Sequence, residues 1–131
     1  MNKEIKEKWI TALRSGEYKQ ARNFLKQNVV SVDDITLTPK LAHCCLGVLC
    51  ELYIKEENNP VIGWKQEQNL FYFTPSNSPI LEAKELPLEV CIWAGLEENN
   101  PTVPNSPLSL AELNDEGKTF EEIATIIEEK F

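Results

Sequence analysis

Residues 113–124, LNDEGKTFEEIA, constrain the fold more tightly than any other stretch of the chain. Thr119 is followed three positions later by Glu122, ahead of an apolar set at helical spacing: Phe120, Ile123, Ala124, Ile126, Ile127 and Phe131. A hydroxyl that accepts from the third backbone N–H of a helix, while a glutamate reaches back to the cap, is a capping box, so a helix starts at Thr119. Gly117 stands where a preceding helix, over 108–114, needs a residue at positive φ in order to stop. The stretch therefore predicts helix, tight turn, helix. Its letters Gly117-Lys118-Thr119 also end a nucleotide-binding phosphate loop, but that loop needs a glycine five positions earlier, where this chain has Glu112. A weaker anion site survives at Lys118 and Thr119, because N–H groups at a helix start attract negative charge. Glu121 and Glu122 in the first turn compete for it.

Upstream, residues 3–14 place Ile5, Trp9, Ala12 and Leu13 on one stripe between charged residues, which predicts a helix ended by Ser15-Gly16. The segment EYKQARNFL, 17–25, has no such stripe. Tyr18, Gln20 and Arg22 alternate there with Lys19 and Ala21, as a short strand would. NVVSVDDITLTPKLAH, 28–43, is β-branched and broken by Asp33-Asp34 and Pro39, which predicts a hairpin or an extended excursion on the surface. A helix over 44–56 turns Cys45, Val48, Leu49 and Leu52 inward and Glu51, Lys55 and Glu56 to water. Gly47 inside it costs about 1 kcal/mol relative to alanine, which close approach of another element or of a ligand would offset.

Asn59-Pro60 and Gly63 then break the chain, 70–73 reads as a strand, and PSNSP, 75–79, closes it. Pro87 opens and Gly95 ends a further helix with Val90, Trp93 and Ala94 inside, and NNPTVPNSP leads to the terminal helix pair. About five helices, a few short strands and long polar loops make a single α+β domain over 1–131, helix-rich with a small antiparallel sheet.

No apolar run reaches 18 residues, and MNKEIKEKWI alternates charge, so neither a membrane span nor an export signal is expected, and the cytoplasm is the expected location. A balance of 21 acidic to 13 basic residues, net −8, repels nucleic-acid polymers. Cys44, Cys45, Cys50 and Cys91 lie in apolar settings that suit buried thiols. His43 is the single histidine and no pair of C-x-x-C knuckles accompanies it, so neither a metal nor a cofactor is expected.

Four blocks in order, KWITALRSGEYKQ, CCLGVLCELY, LPLEV-x-x-WAGL and LAELNDEGKTFEEIATIIEE, resemble a group of small phage-encoded proteins. The resemblance covers a little under half the chain. It implies a phage accessory protein in the host cytoplasm and one class of role, anti-defence: capture of a cyclic or linear nucleotide signal of bacterial immunity. The chain departs from the group at 28–40, which is more elaborate than a short turn.

Three functional classes follow. The first is a binder that sequesters a small anionic, nucleotide-like ligand without cleaving it. Tyr18, Lys19, Gln20 and Arg22 offer it an aromatic face, two cations and an amide within five residues. Trp9 and Arg14 precede them, and Cys44, Cys45, Asn114, Lys118 and Thr119 complete the candidate set. A homo-oligomer is compatible with this reading. The second class is an inhibitor or adaptor of a host protein, working through acidic loops and exposed Trp64, Phe71, Tyr72 and Phe73. The third is an enzyme using Cys44 or Cys45 beside His43, or Asp115. Plainer readings stand beside each: the first cluster as the solvated side of a strand, the aromatics as sheet core, and Asn114-Asp115 as a turn former.

Overall fold

A computed structural model describes residues 1–29, 40–67, 70–74 and 83–131. Helix α1, Lys3–Arg14, opens at Asn2, whose Oδ1 accepts from the Ile5 N–H at 3.0 Å, and buries Ile5, Trp9, Ile10, Ala12 and Leu13. That stripe packs along α5, Phe120–Lys130. The end of the chain folds as expected. Helix α4, Leu110–Asp115, and α5 each begin with a complete capping box, Ser109 with Glu112 and Thr119 with Glu122. Between them Gly117 takes φ +111°, and the Lys118 N–H donates back to the Leu113 carbonyl at 3.0 Å, closing the turn.

Helix α2, Cys45–Glu57, is the spine. Its residues 45–50 are all buried, so its first half is enclosed on every side, as a helix without a polar face requires. Gly47 is explained by the backbone: a β-carbon built there would overlap the Leu25 carbonyl oxygen. Leu25 is itself fully buried; it donates to the Ala83 carbonyl at 2.8 Å and accepts from the Cys44 N–H at 3.3 Å. Glycine is thus the residue that lets a second chain segment lie directly on α2.

The segment beyond Leu25 enters β1, Lys26–Val29, which pairs antiparallel with β2, Lys40–His43, Lys26 facing His43 and Val29 facing Lys40. These are the arms of the expected hairpin; Asp33, Asp34 and Pro39 lie outside the described residues. The strand expected over 17–25 does not form. That stretch makes one isolated parallel bridge, Gln20 beside His43, with Ala21 N donating to His43 O at 2.8 Å and His43 N to Lys19 O at 2.9 Å. Asn23 then turns the chain at φ +73°, its N–H donating 2.8 Å to Asp115 Oδ1. Groups on α4 satisfy this backbone, so it needs no ladder.

A second antiparallel pair, β3 (Gly63–Glu67) and β4 (Leu70–Thr74), gives two small sheets among the described residues where one was expected. Phe71, Tyr72 and Phe73 are buried, which corrects their reading as exposed contact residues, and Trp64 is half-buried. The 75–79 turn lies outside the described residues. Helix α3, Leu88–Ala94, follows Pro87 and ends at Gly95; it buries Val90, Cys91 and Ala94, while Trp93 is half-buried against Tyr53. Among the described residues no helix is long and apolar enough to cross a membrane.

Gly47→Ala is expected to lower the unfolding free energy by about 2 kcal/mol: overpacking against backbone costs more than the ~1 kcal/mol of helix propensity that alanine supplies. Urea denaturation reads it, and an unchanged midpoint would remove the Leu25 contact as the reason for glycine.

Candidate functional site

Asn114 organises the region where the candidate residues were expected to meet. It is 0% exposed, and every valence of its amide is used. Oδ1 accepts from Gln20 Nε2 at 2.9 Å and from the Cys45 N–H at 3.2 Å; Nδ2 donates to Ala21 O at 2.8 Å and to Asp115 Oδ1 at 3.2 Å. The Cys45 N–H lies in the first turn of α2, whose N-cap, Cys44, makes no side-chain capping bond. Asn114 therefore caps α2 from a different helix, relieving one of the donors that a helix start leaves unpaired.

The other candidates divide. Trp9 is fully buried and donates from Nε1 to Cys45 O at 2.9 Å, a strut between α1 and α2. Arg14 is taken up by α5, donating to Glu121 at 3.1 Å, Glu128 at 3.0 Å and Thr125 Oγ1 at 3.1 Å. Thr119 caps its helix, and Asp115 holds Asn23 and Asn114. Cys44 and Cys45 are buried; burial pushes the Cys44 thiol up to about 11 and the Cys45 thiol well above its ordinary value. Both are protonated at neutral pH, the wrong form for a nucleophile.

What remains lies in two hollows. The smaller, about 140 Å³, is lined by Gln20, Arg22, Asn114, Gly117 and Lys118. The larger, about 360 Å³, takes Tyr18 and Lys19 together with Glu17, Lys26, Leu41, His43, Glu51 and Lys55. Lys19 and Arg22, expected in one cleft, thus line different ones, and Arg14 joins neither.

The Tyr18 cleft has a charged floor. His43 is 6% exposed; its Nε2 lies 2.9 Å from Glu51 Oε1, which also accepts from Trp64 Nε1 at 2.6 Å and lies 3.4 Å from Lys26 Nζ. Lys26 sits over the rings of Trp64 and Phe71, at 5.3 and 5.4 Å. Burial alone would raise the Glu51 pKa, but the bonds from His43 and Trp64 and the charge of Lys26 outweigh it and hold the carboxyl below its ordinary value. Above this floor the Tyr18 ring meets His43 edge-on at 5.5 Å, and Lys55 Nζ donates to Tyr18 Oη at 3.3 Å while lying 3.7 Å from Glu17.

A family model matches residues 1–131. The chain belongs to that family, described as a domain of unknown function (DUF8296). No curated protein and no solved structure matches it.

Sequence reasoning missed Lys26, Glu51 and Lys55 in this DUF8296 chain. Glu51 was expected to face water, yet its side chain is only 18% exposed. The available signal was its place directly after the apolar run CLGVLC, where a carboxylate is enclosed unless the helix turns outward.

Asn114→Ala is expected to cost about 2–4 kcal/mol, since the buried donors and acceptors it serves lose their partners; a urea midpoint within error of wild type would contradict its role. Glu51, more acidic folded than unfolded, stabilises the fold at neutral pH, and that contribution is lost as pH falls from about 5 through the folded value. Melting temperature against pH should therefore show a steeper acid limb for wild type than for Glu51→Gln; identical slopes would remove Glu51 as the linked group.

Proposed function

We propose that the chain binds a small anionic, nucleotide-like ligand in the Tyr18 cleft and holds it without cleaving it. The observation that carries this reading is that three ammonium groups, Lys19, Lys26 and Lys55, line one hollow beside an aromatic ring, against two carboxylates, in a chain of net charge −8. Size and sign discriminate among the hollows. A nucleotide needs a pocket of roughly 300–1,000 Å³, which the Tyr18 cleft meets and the 140 Å³ hollow at Arg22 and Lys118 does not. A groove of about 440 Å³ between α1 and α2 is large enough, but Glu4, Glu7 and Glu17 face Lys8 alone there, the wrong balance for an anion.

Within the cleft Lys26 is committed to Glu51, so Lys19 and Lys55 are the donors left to meet a phosphate. Lys55 would exchange Glu17 and the Tyr18 hydroxyl for it, and the tyrosine ring would take the base. In the phage setting suggested by the four sequence blocks, such binding withdraws an immune nucleotide signal in the host cytoplasm, and slow release sets the protection. The protein-inhibitor reading loses support because three of the four aromatics it relied on, Phe71, Tyr72 and Phe73, are buried and Trp64 is half-buried, and the thiol-enzyme reading because both thiols are buried and protonated.

Thermal denaturation with AMP, ADP-ribose, cyclic dinucleotides and cyclic trinucleotides tests the proposal. A ligand at a hundred times its Kd adds about 2.7 kcal/mol of stability, a rise of several degrees, and should be recovered intact after heat denaturation. Lys19→Ala and Lys55→Ala should each weaken binding about tenfold or more, with Lys118→Ala neutral. No stabilisation by any of these anions, or equal losses at Lys118, would contradict the assignment.

A further inference from the structure

His43 is the only histidine in the chain, and more than nine-tenths of its surface is buried. The oxygen beside its Nε2, Glu51 Oε1, is already surrounded by donors, Trp64 Nε1 at 2.6 Å and Lys26 Nζ at 3.4 Å. An ionised carboxylate has no proton to give the ring. Nε2 must therefore carry the hydrogen and donate it across the 2.9 Å contact. In the neutral ring the lone pair is then fixed on Nδ1. That atom is buried, and among the described residues no hydrogen bond reaches it. Native structures leave few buried acceptors without a donor, and each such exception calls for a physical reason.

His43 is also one of the residues that line the Tyr18 cleft. We infer that His43 Nδ1 is the acceptor that selects the ligand: the cleft takes a nucleotide-class anion that presents an N–H or O–H donor, such as a sugar hydroxyl or an exocyclic amine, in preference to an anion of equal charge without one. The inference rests on the ligand reading given above; the ring tautomer does not. Access requires a side chain to move; Tyr18 and Trp64 both pack on the imidazole, at 5.5 and 6.4 Å, and of the two Tyr18 lines the cleft. Its ring stands edge-on to the imidazole, and its hydroxyl is held by Lys55 at 3.3 Å. When Lys55 turns to a phosphate it releases that hydroxyl, and the ring is free to leave the imidazole. Charge recognition by Lys55 and donor recognition by His43 are coupled through one tyrosine.

A single histidine makes the test direct, because a two-bond ¹H–¹⁵N spectrum of the imidazole region contains one residue. In the free protein near pH 7.5 the spectrum should show a pyrrole-type Nε2 and a pyridine-type Nδ1. Adding AMP should move Nδ1 toward its hydrogen-bonded position, whereas sulfate should leave it in place. AMP analogues lacking the sugar 2′ and 3′ hydroxyls, or the exocyclic amine, identify the donor as the one whose loss abolishes the change. His43→Gln keeps a donor for Glu51 and removes the Nδ1 acceptor. It should retain a melting temperature near wild type and lose about tenfold in AMP affinity, several times more than it loses for sulfate. A proton on Nδ1 in the free protein, an equal response to sulfate and AMP, or unchanged AMP affinity in His43→Gln would each overturn the inference while leaving ligand binding intact. If neither AMP nor sulfate perturbs any cleft resonance, the binding proposal fails and this one fails with it.

Discussion

One buried amide holds the arrangement together. Asn114 on α4 accepts from the first turn of α2 and from Gln20, and donates to the backbone at Ala21, so three segments distant in sequence meet at a single side chain. Each bond contributes only about 1 kcal/mol net, but a buried donor or acceptor left alone costs 1–3 kcal/mol, and here several would be orphaned together. The amide works as an all-or-none joint. It also lines the smaller hollow, with Gln20, whose side-chain amide it holds, while Tyr18 and Lys19 just upstream line the larger one.

The charged floor of the Tyr18 cleft follows from the same packing. Gly47 admits the Leu25 backbone onto α2, which delivers β1 so that Lys26 pairs across the ladder with His43. Both then lie beside Glu51, two helical turns along from the start of α2. A half-buried carboxylate without partners would be costly to desolvate; three donors on one oxygen offset that cost and fix the histidine ring. Core packing and site chemistry are therefore not separable in this chain. The glycine that lets two backbones touch also sets the position of the lysine.

Much of the fold was legible because local chemistry dictated it. The last helix announces itself by hydroxyl and glutamate three apart, Gly117 marks the turn before it, and Gly47 signals a close approach that the Leu25 carbonyl supplies; the matching Ser109–Glu112 pair that opens α4 was there to read and was missed. The failures share a cause as well. Alternation over 17–22 looks like a strand, but beyond a single bridge to His43 its hydrogen-bonding partners sit on α4, more than ninety residues away, where no local pattern records them. Phe71, Tyr72 and Phe73 could be read either as exposed contacts or as sheet core, and the core reading holds; a strand buried on both faces has no alternation to show which face is inside. Lys19 and Arg22 read as one cluster because proximity in sequence does not say which hollow a side chain lines.

Amide chemical-shift mapping during titration with AMP decides most directly whether the Tyr18 cleft is the functional centre. Perturbations concentrated at Tyr18, Lys19, Lys26, His43 and Lys55, with the Asn114 side-chain amide unmoved, are the expected pattern. Perturbations centred instead on Arg22, Gly117 and Lys118, or along the glutamate-lined face of α1, would show that the ligand site lies elsewhere.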